Sequence, residues 1–196
     1  MAKGSNDVIL RDRLQFDIDV GGNTSLVYGR IDLSDYVSIV ENKGLAVKEV
    51  RFMLRDPSSS VGSWPSLLIN PVAPGSTGLE IANVKVFATT TAYEDVTDVG
   101  TASPNVLCVY TQNQTGIFQN TAGQSVLRLD EWFGTPDLHP EGYDVVTDLL
   151  IGIACSGLTS TTLVSTTCEL DIMLIAEPKK ITQKDLTQML TQAQDL

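Results

Sequence analysis

The sequence predicts an all-β fold: an antiparallel sandwich of eight to nine strands, with one short helix after an early strand and an amphipathic helix near the C-terminal end. Three observations predict it. Segments that alternate apolar and polar residues recur along the chain, as half-buried antiparallel strands do. Val, Ile, Leu, Thr and Ser are plentiful, and they suit a pleated surface. Strands and helical patterns do not alternate, which argues against a parallel α/β sheet.

LQFDIDV, Leu14 to Val20, sets Leu14, Phe16, Ile18 and Val20 against Gln15, Asp17 and Asp19, so it reads as a strand. GGNTS turns the chain, and Leu26 to Leu33 reads as the neighbouring strand. A helix is expected next. Ser34 suits its cap, Asp35 its first turn, and Leu33, Tyr36, Val37 and Val40 fall on one helical face before Lys43-Gly44 stops it. From Ala46 to Arg55 the period returns to two, with Val50, Phe52 and Leu54 on one side and Glu49, Arg51 and Arg55 on the other. Asp56 to Pro65 is a loop by composition.

SLLIN, from Ser66, is expected as a short strand. Leu79 to Thr91 is expected as a long one, with Ala82, Val84, Val86 and Ala88 sharing a face and a bulge where Ile81 meets Ala82. YEDVTDVGTASP is a polar loop, and NVLCVYTQ and SVLRLD are two more strands. Glu131 to Asp144 concentrates turn residues and aromatics, so it should be an ordered surface loop. VTDLLIGIACS and TTLVSTTCELDIMLIA read as a closing hairpin around Gly157 to Thr161, ended by Pro178. Thr182 and Asp185 then stand in capping-box spacing before Leu186, Met189, Leu190 and Ala193, which line one face of a helix too short to be stable alone. The division expected is a sandwich over 1–178 and a helical tail over 179–196.

The chain carries 13 Lys and Arg against 24 Asp and Glu, for a net charge of −11. Most basic residues lie before Asp56 or after Pro178; only Lys85 and Arg128 lie between. An acidic body of this kind repels nucleic acid and anionic lipid. No basic run or aromatic platform marks a nucleic-acid site, so direct nucleic-acid binding is not expected; membrane contact is left open. MAKGSND is polar and no apolar run follows it, so no signal peptide is expected, and LLIGIAC is too short to span a bilayer.

Cys108, Cys155 and Cys168 cannot all pair within the chain and show no metal-ligand spacing. The reading is three buried thiols in a reducing compartment, with a Cys155–Cys168 bridge as the alternative. His139 is the only histidine, which weakens every catalytic triad. No glycine pattern cradles a phosphate. No catalytic residue, cofactor or metal ligand is therefore assigned, and no enzyme is expected. Asp130, Glu131, Asp137, Glu141, Asp144 and Asp148 crowd the late loop, as a calcium site or as a solvated acidic rim. Trp64, Trp132, Phe133 and Tyr143 fall in loops, where aromatics pin a loop or anchor a partner. Trp132, Phe133, Tyr143, Leu186, Met189 and Leu190 are the candidates for a subunit interface.

The order of elements in RIDLSDYVSIVENKG followed by LAVKEVRFMLR resembles the start of the single jelly-roll capsid proteins of small icosahedral viruses. In these a strand ends in a short helix and a basic alternating strand follows. The resemblance implies that Leu26–Leu33 and Ala46–Arg55 are the first two of eight jelly-roll strands, with Leu14–Val20 an extra strand ahead of them. It implies a structural virion protein, made in the host cytoplasm, whose partners are copies of itself and other virion proteins. The nearly neutral N-terminal arm departs from the basic arms of many such proteins. A viral decoration or accessory protein and a carbohydrate-binding jelly-roll module are the alternatives.

Overall fold

The computed structural model describes residues 6–70, 78–118, 127–133 and 141–192. Among these residues nine strands follow one another: β1 (Val8–Asp17), β2 (Thr24–Ile31), β3 (Lys43–Arg55), β4 (Gly78–Thr89), β5 (Val106–Phe118), β6 (Leu127–Phe133), β7 (Tyr143–Val145), β8 (Leu149–Ser156) and β9 (Thr167–Lys180). Helix α1 (Gln183–Gln192) follows β9. One sheet has the order β1-β9-β3-β7 and the other β2-β8-β4-β5-β6.

A single long hairpin explains this order. β1 pairs with β9, β2 with β8, β3 with β7 and β4 with β5, all antiparallel. Curling that ribbon brings β9 beside β3 and β8 beside β4, which closes two sheets face to face. With β6 set aside, the order is that of a jelly roll. β1 is thus the first jelly-roll strand and not an addition ahead of the sandwich. The added strand is β6, on the outer edge of the second sheet.

Alternation decides the core. Phe16 from β1, Val47 and Val50 from β3, Leu170, Ile172 and Leu174 from β9 meet Ala82, Val84 and Val86 from β4 and Leu149, Ile151 and Ile153 from β8. The second sheet also has an outer core, because the β4–β5 loop folds back across it and buries Phe87, Val99 and Val109 beside Tyr28 and Tyr93. Tyr28 and Phe87 meet edge to face with centroids 5.8 Å apart. Gly152 makes room for this: a Cβ there would lie 2.2 Å from Cζ of Phe87. That double burial is why β8 reads as the nearly continuous apolar run LLIGIAC.

Several local expectations fail for physical reasons. No helix forms over Ser34–Lys43. Tyr36 and Val37 donate to the Leu33 carbonyl, both at 2.9 Å, and the turn stops there because Ser38 and Lys43 bond each other's backbones. Val37, Ile39 and Val40 are β-branched, and one turn offers few bonds against the nucleation cost. Leu33 is buried and Tyr36 and Val37 pack on the core, but Val40 is 93% exposed. The segment still bridges strands in opposite sheets.

SLLIN forms no strand either; the side chain of Gln114 holds its backbone instead. β4 and β5 keep register from Gly78 to Ala88, and the irregularity lies at Ala88/Thr89 rather than at Ile81/Ala82. Strands β8 and β9 make no hairpin: they lie in opposite sheets, joined by an arch that buries Leu158 and Leu163. Of the Glu131–Asp144 segment expected as a loop, the start belongs to β6 and the end to β7, while 134–140 lie outside the described residues. Strand β9 continues through Pro178 to Lys180. β1 begins opposite Ala176, so Pro178 has a neighbouring strand on one side only, a setting that tolerates a missing N–H.

The Thr182 hydroxyl donates to Asp185 at 2.6 Å and accepts the Asp185 N–H at 3.2 Å, which starts α1 as its sequence predicts. The helix seats Leu186, 5% exposed, on Val146 and Ile181. Among the described residues no helix is long and apolar enough to cross a membrane.

All three cysteines are free and buried. Burial pushes the thiols of Cys108 and Cys155 up to about 12 and raises that of Cys168. Folded protein at mildly alkaline pH is therefore expected to resist a thiol-reactive disulfide reagent, with all three thiols reacting only in denaturant. Fast labelling of the native chain would contradict this placement.

Candidate functional site

Of the residues singled out in sequence, Trp132 and Phe133 stand on β6, opposite Gln112 and Thr111. Their side chains lie outside the described part, as does that of Leu190 on α1. Tyr143 stands on β7 opposite Val47 and is 38% exposed. Leu186 packs on its own chain, with Met189 partly buried beside it. The structure thus gathers Leu186 and Met189 into one cluster without Tyr143. Trp64 lies 6.4 Å from Phe16 between ring centroids and pins its loop to the core.

The late acidic residues separate. Asp144 pairs with Lys179 at 2.6 Å, while Asp148 pairs with Arg30 and accepts the Leu33 N–H at 3.2 Å. His139 and Asp137 lie outside the described residues, as do the side chains of Asp130 and Glu131. Among the described residues no group of three or more His, Cys, Asp or Glu is placed to hold a metal ion.

A different surface stands out: the outer face of β1, β9 and β3. Register sets its side chains in rows. Arg11, Met173 and Arg51 form one row; Arg13, Asp171 and Met53 form the next; Gln15, Glu169 and Arg55 form the third. Arg13 reaches Asp171 at 2.6 Å and Glu169 at 3.4 Å, while Arg55 reaches Glu169 at 3.1 Å and Asp171 at 3.7 Å. Two arginines and two carboxylates therefore form a closed lattice. The row above differs. Arg51 is bonded to Glu49, whereas Arg11 makes no ion pair among the described residues. Asp171 heads the causes that raise Arg13, whose guanidinium stays charged in any case.

Around these rows lies an open depression of about 630 Å³, whose border includes Arg11, Arg13, Arg51, Met53 and Met173 together with the carboxylates Asp12 and Asp171. Met53 is 59% exposed, so the floor is soft and apolar between cations. These groups have binding chemistry: guanidinium groups grip carboxylates in a fork, and methionine adapts to what lies on it.

Sequence reasoning missed Arg11, Met53 and Met173. The signal was present for Met53, which follows Arg51 by two on an alternating strand. For Arg11 it was broken, because Asp12 falls on the inward side of β1 between Leu10 and Leu14 and interrupts the alternation.

No family model and no curated protein matches the chain. Among solved structures, the VP1 of Merkel cell polyomavirus, as an unassembled pentamer, aligns over 92% of this chain and 98% of its own at 10% identity, with a TM-score of 0.33. The VP1 of Trichodysplasia spinulosa-associated polyomavirus aligns over 92% and 97% at 10% identity, with a TM-score of 0.31. A tailspike protein of Acinetobacter baumannii phage AM24 covers 88% of this chain but 26% of its own, at 11% identity and a TM-score of 0.19. Superpositions this loose carry no argument; the fold assignment rests on strand order.

Proposed function

We propose that the chain is a structural virion protein, a capsid (shell) subunit that assembles with copies of itself and with other virion proteins. The observation that carries this reading is the complete jelly-roll order, β1-β9-β3-β7 against β2-β8-β4-β5, which packs two sheets face to face around one core. Jelly rolls of this kind serve in viral shells and in lectins. A fold supports many functions, so the surface has to supply the rest. Here it is an uncovered sheet face set with arginine and methionine, a surface suited to binding rather than reaction.

The reading places the protein in the virion after synthesis in the host cytoplasm. An acidic body is a poor partner for a packaged genome, so neutralisation falls to other components. Contacts between subunits draw on the periphery of the sandwich, with Trp132 and Phe133 on edge strand β6, Tyr143 on edge strand β7 and Leu190 on α1 as candidates. Leu186 and Met189 contribute only where α1 leaves its seat on Val146 and Ile181.

Negative-stain microscopy of the purified chain is expected to show closed particles. Truncation after Lys180 is expected to leave the sandwich folded by circular dichroism and to raise the concentration needed for particles by about tenfold or more, the equivalent of 1.4 kcal/mol. Binding to preformed shells without assembly of the chain alone would replace this reading with that of an accessory protein.

A further inference from the structure

We infer that the outer face of β1, β9 and β3 is a docking surface for a second copy of this chain, which presents its acidic turn Glu94–Asp98 to Arg11 and Arg51. The inference rests on the self-assembly reading and names the surfaces that meet.

Charge segregation is its basis. Eight of the thirteen Lys and Arg stand on the strands of one sheet, two on β1, four on β3 and two on β9. Seven carboxylates share those strands: two on β1, one on β3, one on β7 and three on β9. That sheet therefore stands at +1, and the rest of the molecule more than accounts for the chain's −11.

Within the sheet most charges are already satisfied by neighbours. Arg13 and Arg55 share Asp171 and Glu169, and Lys48 binds Asp7 and Glu177. The row of Arg11 and Arg51 is less fully paired: Arg51 meets Glu49 alone, and Arg11 makes no ion pair among the described residues. Two strand spacings set these arginines about 10 Å apart, with Met173 between them. A pair of carboxylates on an ordered backbone fits that row, with apolar atoms between them resting on Met173 and Met53.

The turn in the β4–β5 loop offers such a ligand. Glu94, Asp95 and Asp98 are exposed within five residues. Asp95 caps the turn by accepting the Thr97 N–H at 2.8 Å, which leaves Glu94 and Asp98 to face outward. Lys85 pins the turn from beneath, donating to the carbonyls of Val96 at 3.1 Å and Val99 at 2.9 Å. The backbone is therefore already ordered, and docking costs little conformational entropy.

Position dictates a second copy. The turn covers the outer face of the second sheet, and the arginines stand on the outer face of the first. One molecule cannot bring its own two patches together. A contact between unlike patches runs head to tail, and it builds rings or extended arrays according to the rotation it imposes.

Charge exchange in the full chain tests this. R11E/R51E and E94R/D98R are each expected to need at least about tenfold more protein to associate than wild type, by light scattering at about 0.05 M salt. An equimolar mixture of the two is expected to regain association, because each chain's altered patch then complements the other's. R11E/R51E/E94R/D98R on one chain is expected to associate with itself, which separates lost contact from lost fold. Wild-type association is expected to weaken at about 0.5 M salt. Particles that form as readily from R11E/R51E as from wild type overturn this inference and leave the shell reading standing. So does a mixture no better than its components. A wild-type chain that remains monomeric overturns both.

Discussion

Replacement of Gln114 by leucine is expected to destabilise the fold by about 2–5 kcal/mol, although the two side chains are close in size. Gln114 is 1% exposed on the inner face of β5. Its Oε1 accepts the N–H of Leu68 at 2.6 Å and of Ile69 at 3.1 Å, and its Nε2 donates to the Ser66 carbonyl at 2.9 Å. One amide thus stands in for a strand. Leucine leaves two N–H groups and a carbonyl without these partners while Leu68 and Ile69 remain buried, and each orphaned group costs about 1–3 kcal/mol. Urea unfolding of Gln114→Leu measures the loss. A change below about 0.5 kcal/mol would mean that Ser66–Asn70 finds other partners.

The Gly22→Ala variant is expected to lose about 2–4 kcal/mol, from backbone strain and overpacking together. Gly22 has φ of +74°, and a Cβ there would lie 1.6 Å from the Leu158 carbonyl oxygen. The approach is this close because the loop after β1 is laced to the arch between β8 and β9. Leu158 donates its N–H to the Gly22 carbonyl at 3.0 Å, and Gly157 donates to the Asn23 side chain at 3.1 Å. Nothing lies within 4 Å of a Cβ at Gly78, so Gly78→Ala is the control, expected to stay within about 0.5 kcal/mol of wild type. Equal losses in both variants would show that the laced loops do not bear the load assigned to them.

What was legible in the sequence follows from the range of the interactions. The alternation of Val50, Phe52 and Leu54 against Arg51 and Arg55 is local, so β3 could be read directly. The apolar run of β8 was equally clear. Pairing is long-range, and nothing near Gly157 distinguishes a hairpin from an arch that crosses between sheets. The same limit misplaced β1: its partner β9 lies at the far end of the chain, and Asp12 hides the strand's first half. Ser34–Lys43 carried a helical spacing, but the Ser38–Lys43 bridge, formed once β3 is in place, captures the backbone groups a longer helix would use.

The candidate surface was half visible. The concentration of most basic residues toward the two ends of the chain was plain in the sequence; that β1, β3 and β9 bring those ends into one sheet was not. The rows on that face depend on register, which a strand alone does not reveal. Aromatic residues drew attention first because they are large, yet Trp64 proved to be occupied within the fold.

Sedimentation velocity of the purified wild-type chain, across concentration at low and moderate ionic strength, probes self-association without presupposing which surfaces meet. The account predicts discrete, concentration-dependent species larger than one chain, with the larger species receding as salt rises. A sedimentation coefficient that stays at the monomer value over the whole range would contradict it.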